Sequence, residues 1–183
     1  SADYVVTGSW SERSVKEAKM FGEINVVAKS QPFHYVPDFA NWKLNKDAAY
    51  LHICTNETID GVEFDSLPNA GNVPIVADMS SHILSRPIDV SQYGVIYAGA
   101  QKNMGPSGAT IIIVKESLLG NAEKDVPIMC DWKTFENAPG TYYNTPPCWA
   151  IYVTGINASY MNQMGGVSYY DMLCDQRSQM LYS

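Results

Sequence analysis

Gly94-Val95-Ile96-Tyr97-Ala98-Gly99-Ala100-Gln101-Lys102 decides the fold. Gly94 to Ala98 is apolar at consecutive positions, as expected of a strand covered on both faces. A short turn, Gly105-Pro106-Ser107-Gly108, leads to a second such run, Ala109 to Val114. That turn is too short for a crossover helix, so the second strand should lie antiparallel to the first.

Outward from this pair, the chain alternates strand-like and helix-like stretches. Asp3 to Thr7, Ile24 to Ala28, Tyr50 to Cys54 and Ile75 to Ala77 read as strands. Ser11 to Phe21 reads as a helix stopped by Gly22. Ser30 to Asp47 reads as loop with a short helix, and Asp65 to Val73 as turns. Pro146 to Met164 is a helix with proline in its first turn. Gly165-Gly166 stops it, and Val167 to Tyr182 is a further amphipathic helix. The expected class is α/β, a mixed and mostly parallel sheet with helices on both faces.

Composition narrows the function. With 183 residues the chain can bury a real core. The net charge of −7 disfavours nucleic acid. No apolar run is long enough for a bilayer, and the opening residues lack a secretory leader pattern. Cys54, Cys130, Cys148 and Cys174 have no CxxC or zinc spacing, so they read as reduced thiols of a cytoplasmic protein with no metal. No GxGxxG or GxxxxGK[ST] occurs, which weakens a nucleotide-binding reading. The chain opens on a strand and closes inside a helix, as a piece of a longer protein would.

In an open α/β sheet, ligands bind at the carboxyl ends of strands. Thr58, Asp78 and Lys102 each follow a strand-like run and should share one rim. A lysine amine and a carboxylate on one rim suit pyridoxal 5'-phosphate (PLP), which needs an amine to bind it and an acid beside its pyridine nitrogen. Lys102, closing an apolar strand, is expected to be partly desolvated. Gly99, Ala100, Gly105 and Gly108 would let a flat ring approach. Trp10, opening a helix, could stack on that ring, while amides at the helix start attract its phosphate. Each residue also has a plainer reading. A lysine after a strand is commonly solvated, an aspartate there commonly caps a turn, and a tryptophan is commonly core. His82 reads as a turn or surface residue, and Arg86 as a surface or structural charge.

The wording at these positions resembles a known family. Asn56-Glu57-Thr58-Ile59-Asp60-Gly61, Ala77-Asp78-Met79-Ser80-Ser81, Leu84 to Val90, Tyr93 to Asn103 and Tyr143-Asn144-Thr145-Pro146-Pro147 resemble, in order, segments of the phosphoserine aminotransferases. The resemblance implies a fold-type I, class V, PLP-dependent aminotransferase working as a homodimer. Its reaction moves an amino group between L-glutamate and 3-phosphohydroxypyruvate, giving O-phospho-L-serine and 2-oxoglutarate in serine biosynthesis. It assigns Lys102 as the Schiff-base lysine and proton carrier. Asp78 would pair with the ring nitrogen, Thr58 with the ring hydroxyl, and Trp10 would stack. Gln101 would contact the cofactor phosphate, and Asn144 and Thr145 would reach the phosphate in the partner subunit. Residues 1–155 would be a partial PLP-binding large domain, and 156–183 a helical segment leading toward a small domain. The alternatives are a non-catalytic fragment or paralogue, or another fold-type I PLP enzyme such as an alanine–glyoxylate aminotransferase or a cysteine desulfurase.

Overall fold

The structure is a computed structural model that describes residues 1–136 and 142–183. Strands β1 (Ala2–Val6), β2 (Ile24–Lys29), β3 (Leu51–Cys54), β4 (Ile75–Asp78), β5 (Val95–Gly99) and β6 (Thr110–Val114) form one sheet in the order β2-β1-β3-β4-β5-β6. β1 to β5 are parallel to one another, and β6 pairs antiparallel with β5 from Val95↔Val114 to Gly99↔Thr110. The mixed, mostly parallel sheet is therefore as expected, including the reversal after Gly108.

Alternation along the strands sorts side chains to two faces. Val5, Leu51, Ile53, Ile75, Ala77, Ile96 and Ala98 form the main core, closed by Trp42, Phe64, Met79, Ile83 and Met104 from the connecting loops. Leu51 and Ile53 are fully buried. Each such side chain contributes about 1.5–3 kcal/mol of burial free energy. On the other face, Ala2, Tyr4 and Val6 pack against Val15 of helix α1 (Ser9–Ala18).

α1 starts two residues before Ser11 because that serine works from inside the helix. Its Oγ accepts from the Thr7 and Gly8 amides at 2.9 and 3.1 Å. The helix stops before Gly22, in a turn capped at Lys19. Helix α2 spans Trp132–Glu136. Helix α3 (Cys148–Gln163) follows Pro146-Pro147 and seats Ala150 and Met161. Asn157 Nδ2 ties α3 to the loop after β5, donating to the carbonyls of Asn103 and Met104 at 3.0 and 2.9 Å. The boundary expected at 155/156 falls inside α3. Helix α4 (Gly166–Tyr182) fully buries none of its residues, and Val167, Tyr170 and Leu173 are half-buried. Among the described residues no helix is long and apolar enough to cross a membrane.

Candidate active site

The strand order reverses at β1, whose neighbours are β2 and β3. Crevices at such switch points, beyond the carboxyl ends of the strands, are where parallel sheets bind ligands. Trp10 follows β1, Thr58 follows β3, Asp78 ends β4 and Lys102 follows β5.

The register sets these ends side by side, with Cys54↔Asp78 and Asp78↔Tyr97 paired. Lys102 Nζ donates to Thr58 Oγ1 at 2.5 Å and lies 5.6 Å from the centre of the Trp10 ring. Asp78 Oδ1 accepts from the Ser80 amide at 2.9 Å and from Ser80 Oγ at 2.7 Å. The Gly99 amide donates to Ser80 Oγ at 3.2 Å, so the end of β5 helps fix the carboxylate. Among the described residues nothing donates to Asp78 Oδ2. Trp10 and Asp78 both line a cavity of about 770 Å³, with Arg13, His52 and Tyr97 also on its wall.

Beneath Asp78 lies a buried polar layer. His52 Nε2 and Tyr97 Oη are 2.8 Å apart, and the His52 ring stacks on Tyr4 at 4.6 Å. Burial pushes the His52 pKa down to about 4, against the pull of the Asp78 carboxylate. Burial raises the Tyr97 hydroxyl, and Asp78 adds to this. The Cys54 thiol is also raised, by burial first and then by the Glu57 and Asp78 carboxylates.

Lys102, Thr58, Trp10 and Asp78 are thus brought to one rim. Lys102 and Thr58 are exposed, so the expected desolvation of the amine is not found; the neighbouring Ala100 and Met104 are the residues of that turn that are buried. Gln101 is exposed, its side chain lying against Gly99. Asn144 and Thr145 are exposed and line a second cavity with Gly108 and Phe135, whose lining does not include Lys102.

The α1 amides expected to attract a phosphate are already occupied. The Ser9 amide donates to Asp60 Oδ2 at 2.6 Å. The Trp10 and Ser11 amides donate to Glu57 Oε2 and Oε1 at 2.9 and 3.0 Å. Carboxylates of the chain itself therefore take the favourable positions at the positive end of the helix. Neither Glu57 nor Asp60 was singled out in the sequence; the pairing with α1 spans 46 to 51 residues, beyond any local pattern. His82 lies in a turn, yet it is buried, with Nε2 3.3 Å from Glu63 Oε1. Arg86 is a structural charge, 3.1 Å from Glu63 and 3.7 Å from Asp171 of α4.

The family profile for aminotransferase class-V matches residues 1–183. The chain belongs to the class-V aminotransferases. The phosphoserine aminotransferase of Herminiimonas arsenicoxydans is 51% identical, over 98% of this chain and 50% of the relative. That of Pseudomonas entomophila is 49% identical, over 99% and 50%. This class-V chain thus spans about half the length of the curated relatives it matches. Among solved structures, the phosphoserine aminotransferase of Bacillus circulans subsp. alkalophilus superposes with a TM-score of 0.94 at 40% identity, over 99% of this chain and 50% of that one. A PLP-bound phosphoserine aminotransferase from Trichomonas vaginalis gives 0.91 at 35% identity, over 99% and 52%. An alanine–glyoxylate aminotransferase from Nostoc sp. shares the fold at 15% identity with a TM-score of 0.79, over 99% and 53%.

Proposed function

We propose that this chain is the cofactor-binding part of a phosphoserine aminotransferase. The whole protein would move an amino group between L-glutamate and 3-phosphohydroxypyruvate, yielding O-phospho-L-serine and 2-oxoglutarate. The observation that carries this reading is the convergence of Lys102, Thr58 and Trp10 beside Asp78, in a chain 51% identical to a protein of that name.

The residues fit PLP. An indole face lies near a primary amine, and the Trp10 Nε1 is buried without a partner among the described residues. The carboxylate oxygen Oδ2 of Asp78 is left available while Oδ1 is fixed by Ser80. When bound, PLP supplies an electron sink for charge developing at the substrate α-carbon. The protein's share is binding and proton handling. Lys102 would hold the cofactor through its amine and, once released from it, carry the proton to and from the α-carbon. Asp78 would keep a proton on the pyridine nitrogen. Thr58 would hold the ring hydroxyl, and Trp10 would cover one ring face.

The phosphate is assigned to Gln101 and, across a homodimer, to Asn144 and Thr145 of the partner subunit. Residues 1–155 would form the large-domain layer, and 156–183 would lead toward a small domain, α3 running through the junction. Free thiols at Cys54, Cys130, Cys148 and Cys174 support a cytoplasmic setting.

The test compares substrates in the full-length protein. Glutamate with 3-phosphohydroxypyruvate should turn over, and glyoxylate or cysteine should not. Preference for glyoxylate would assign a different aminotransferase. No turnover with any of these substrates would favour a non-catalytic paralogue.

A further inference from the structure

We propose that Glu57 and Asp60 are positioning residues that aim Trp10 at the cofactor, an inference that rests on the reading of the PLP site above. The hairpin-like segment after β3 does two jobs with adjacent residues. Glu57 grips the start of α1, and Thr58 receives the Lys102 amine.

The grip is built in depth. Glu57 is 0% exposed, and its two oxygens take the amides of Trp10 and Ser11 and the Thr7 hydroxyl. Asp60 takes the Ser9 amide at 2.6 Å and the Ser9 hydroxyl at 3.3 Å. The segment that carries them is itself tied by its own backbone. The Gly61 amide donates to the Glu57 carbonyl at 2.7 Å, and the Glu57 amide to the Val62 carbonyl at 2.8 Å. Ser81 Oγ holds Asn56 from the Asp78 side, at 2.6 Å to its Oδ1.

A buried carboxylate is costly unless charge-assisted hydrogen bonds satisfy it. Here those bonds come from the backbone of the residue whose ring must lie parallel to a flat ligand. The orientation of Trp10 is thereby set by the same loop that positions Thr58. Gly8 makes room for this arrangement. A methyl group there would stand 2.5 Å from Glu57 Cγ and Cδ and 2.5 Å from Asp60 Oδ2.

The experiment uses full-length protein carrying Glu57→Gln, Asp60→Asn or Gly8→Ala, freed of PLP and then titrated with it. Three quantities are read: hydrogen exchange at the Ser9, Trp10 and Ser11 amides without PLP, PLP affinity, and the visible circular dichroism of the bound cofactor. Each variant should exchange faster at those amides and bind PLP up to about tenfold more weakly, since only part of a charge-assisted hydrogen bond inside the protein is felt at the ring it orients. The visible band should shrink, because stacking on Trp10 fixes its asymmetry. Gly8→Ala displaces the carboxylates without altering them, so it keeps the test open if Glu57→Gln does not fold. Variants with a lowered thermal midpoint but wild-type PLP affinity and wild-type dichroism would overturn the proposal, leaving the carboxylates a purely structural role. Wild-type protein that takes up no PLP would overturn the cofactor reading itself, and this inference with it.

Discussion

The amine of Lys102 donates to the hydroxyl of Thr58 at 2.5 Å, joining the turn after β5 to the loop after β3 across the intervening strand β4. Asp78 ends that intervening strand, so its carboxylate sits between the two partners' strands at the same rim. Such a contact is available only because these strands run parallel and present the same ends. Replacing Thr58 with Val keeps the shape and removes the hydroxyl. PLP affinity of the full-length protein should fall about three- to tenfold, as for one neutral hydrogen bond. An unchanged dissociation constant would remove Thr58 from the site.

Asp78 is expected to matter more, because its charge and not only its shape is used. Asp78→Asn keeps an acceptor for Ser80 but offers the ring nitrogen no anion. PLP binding should weaken by about ten- to a hundredfold, as when a charge-assisted bond is lost. Turnover should fall as well, since the ring nitrogen would lose its proton. Titrating PLP and measuring kcat in the Asn and Ala variants checks this, and wild-type turnover in either contradicts the assigned role.

His52 makes stability depend on pH. Its folded pKa of about 4 lies below the ordinary value of 6.5. Between those values the unfolded chain binds a proton that the folded chain refuses. Stability is therefore fully present above pH 6.5 and is lost as pH falls toward 4, at no more than about 1.4 kcal/mol per pH unit. His52→Phe keeps a ring to stack on Tyr4 and removes this titration. Urea midpoints at several pH values between 7.5 and 5 should fall more steeply for the wild type than for the variant. Parallel slopes would show that His52 does not contribute.

The cysteines should separate by reactivity. Cys130, Cys148 and Cys174 are exposed, whereas Cys54 is buried, with its thiol pKa raised by burial and by the Glu57 and Asp78 carboxylates. Thiolate is the reactive form. A thiol reagent at mild alkaline pH should label the three exposed residues of this chain in the native state and Cys54 only on unfolding. Early labelling of Cys54 would mean that the end of β3 opens readily.

Much of this arrangement can be read in the sequence, and the limits have physical causes. The run from Gly94 to Lys102 is apolar on both faces, and the short turn before Ala109 permits only an antiparallel return; both follow from local geometry. That Thr58, Asp78 and Lys102 share a rim follows once the strands are parallel. The filling of the α1 amides could not be read, because a helix start looks equally open whether its partner is a ligand or a distant carboxylate. Glu57 stands beside Thr58 in the sequence, and Gly8 lies three residues before the helix expected from Ser11. Neither reveals a partner without tertiary structure. The exposure of Lys102 escaped for a related reason. An apolar strand predicts what covers its own length, not the turn that leaves it.

The central claim is that Lys102 is the amine that holds PLP. Full-length protein is mixed with PLP and reduced with borohydride, and the modified peptide is found by mass spectrometry. The predicted result is a single pyridoxyl group on Lys102, absent in Lys102→Ala, which should also lose transamination. A group attached to a different lysine, or no attachment at all, would contradict the account.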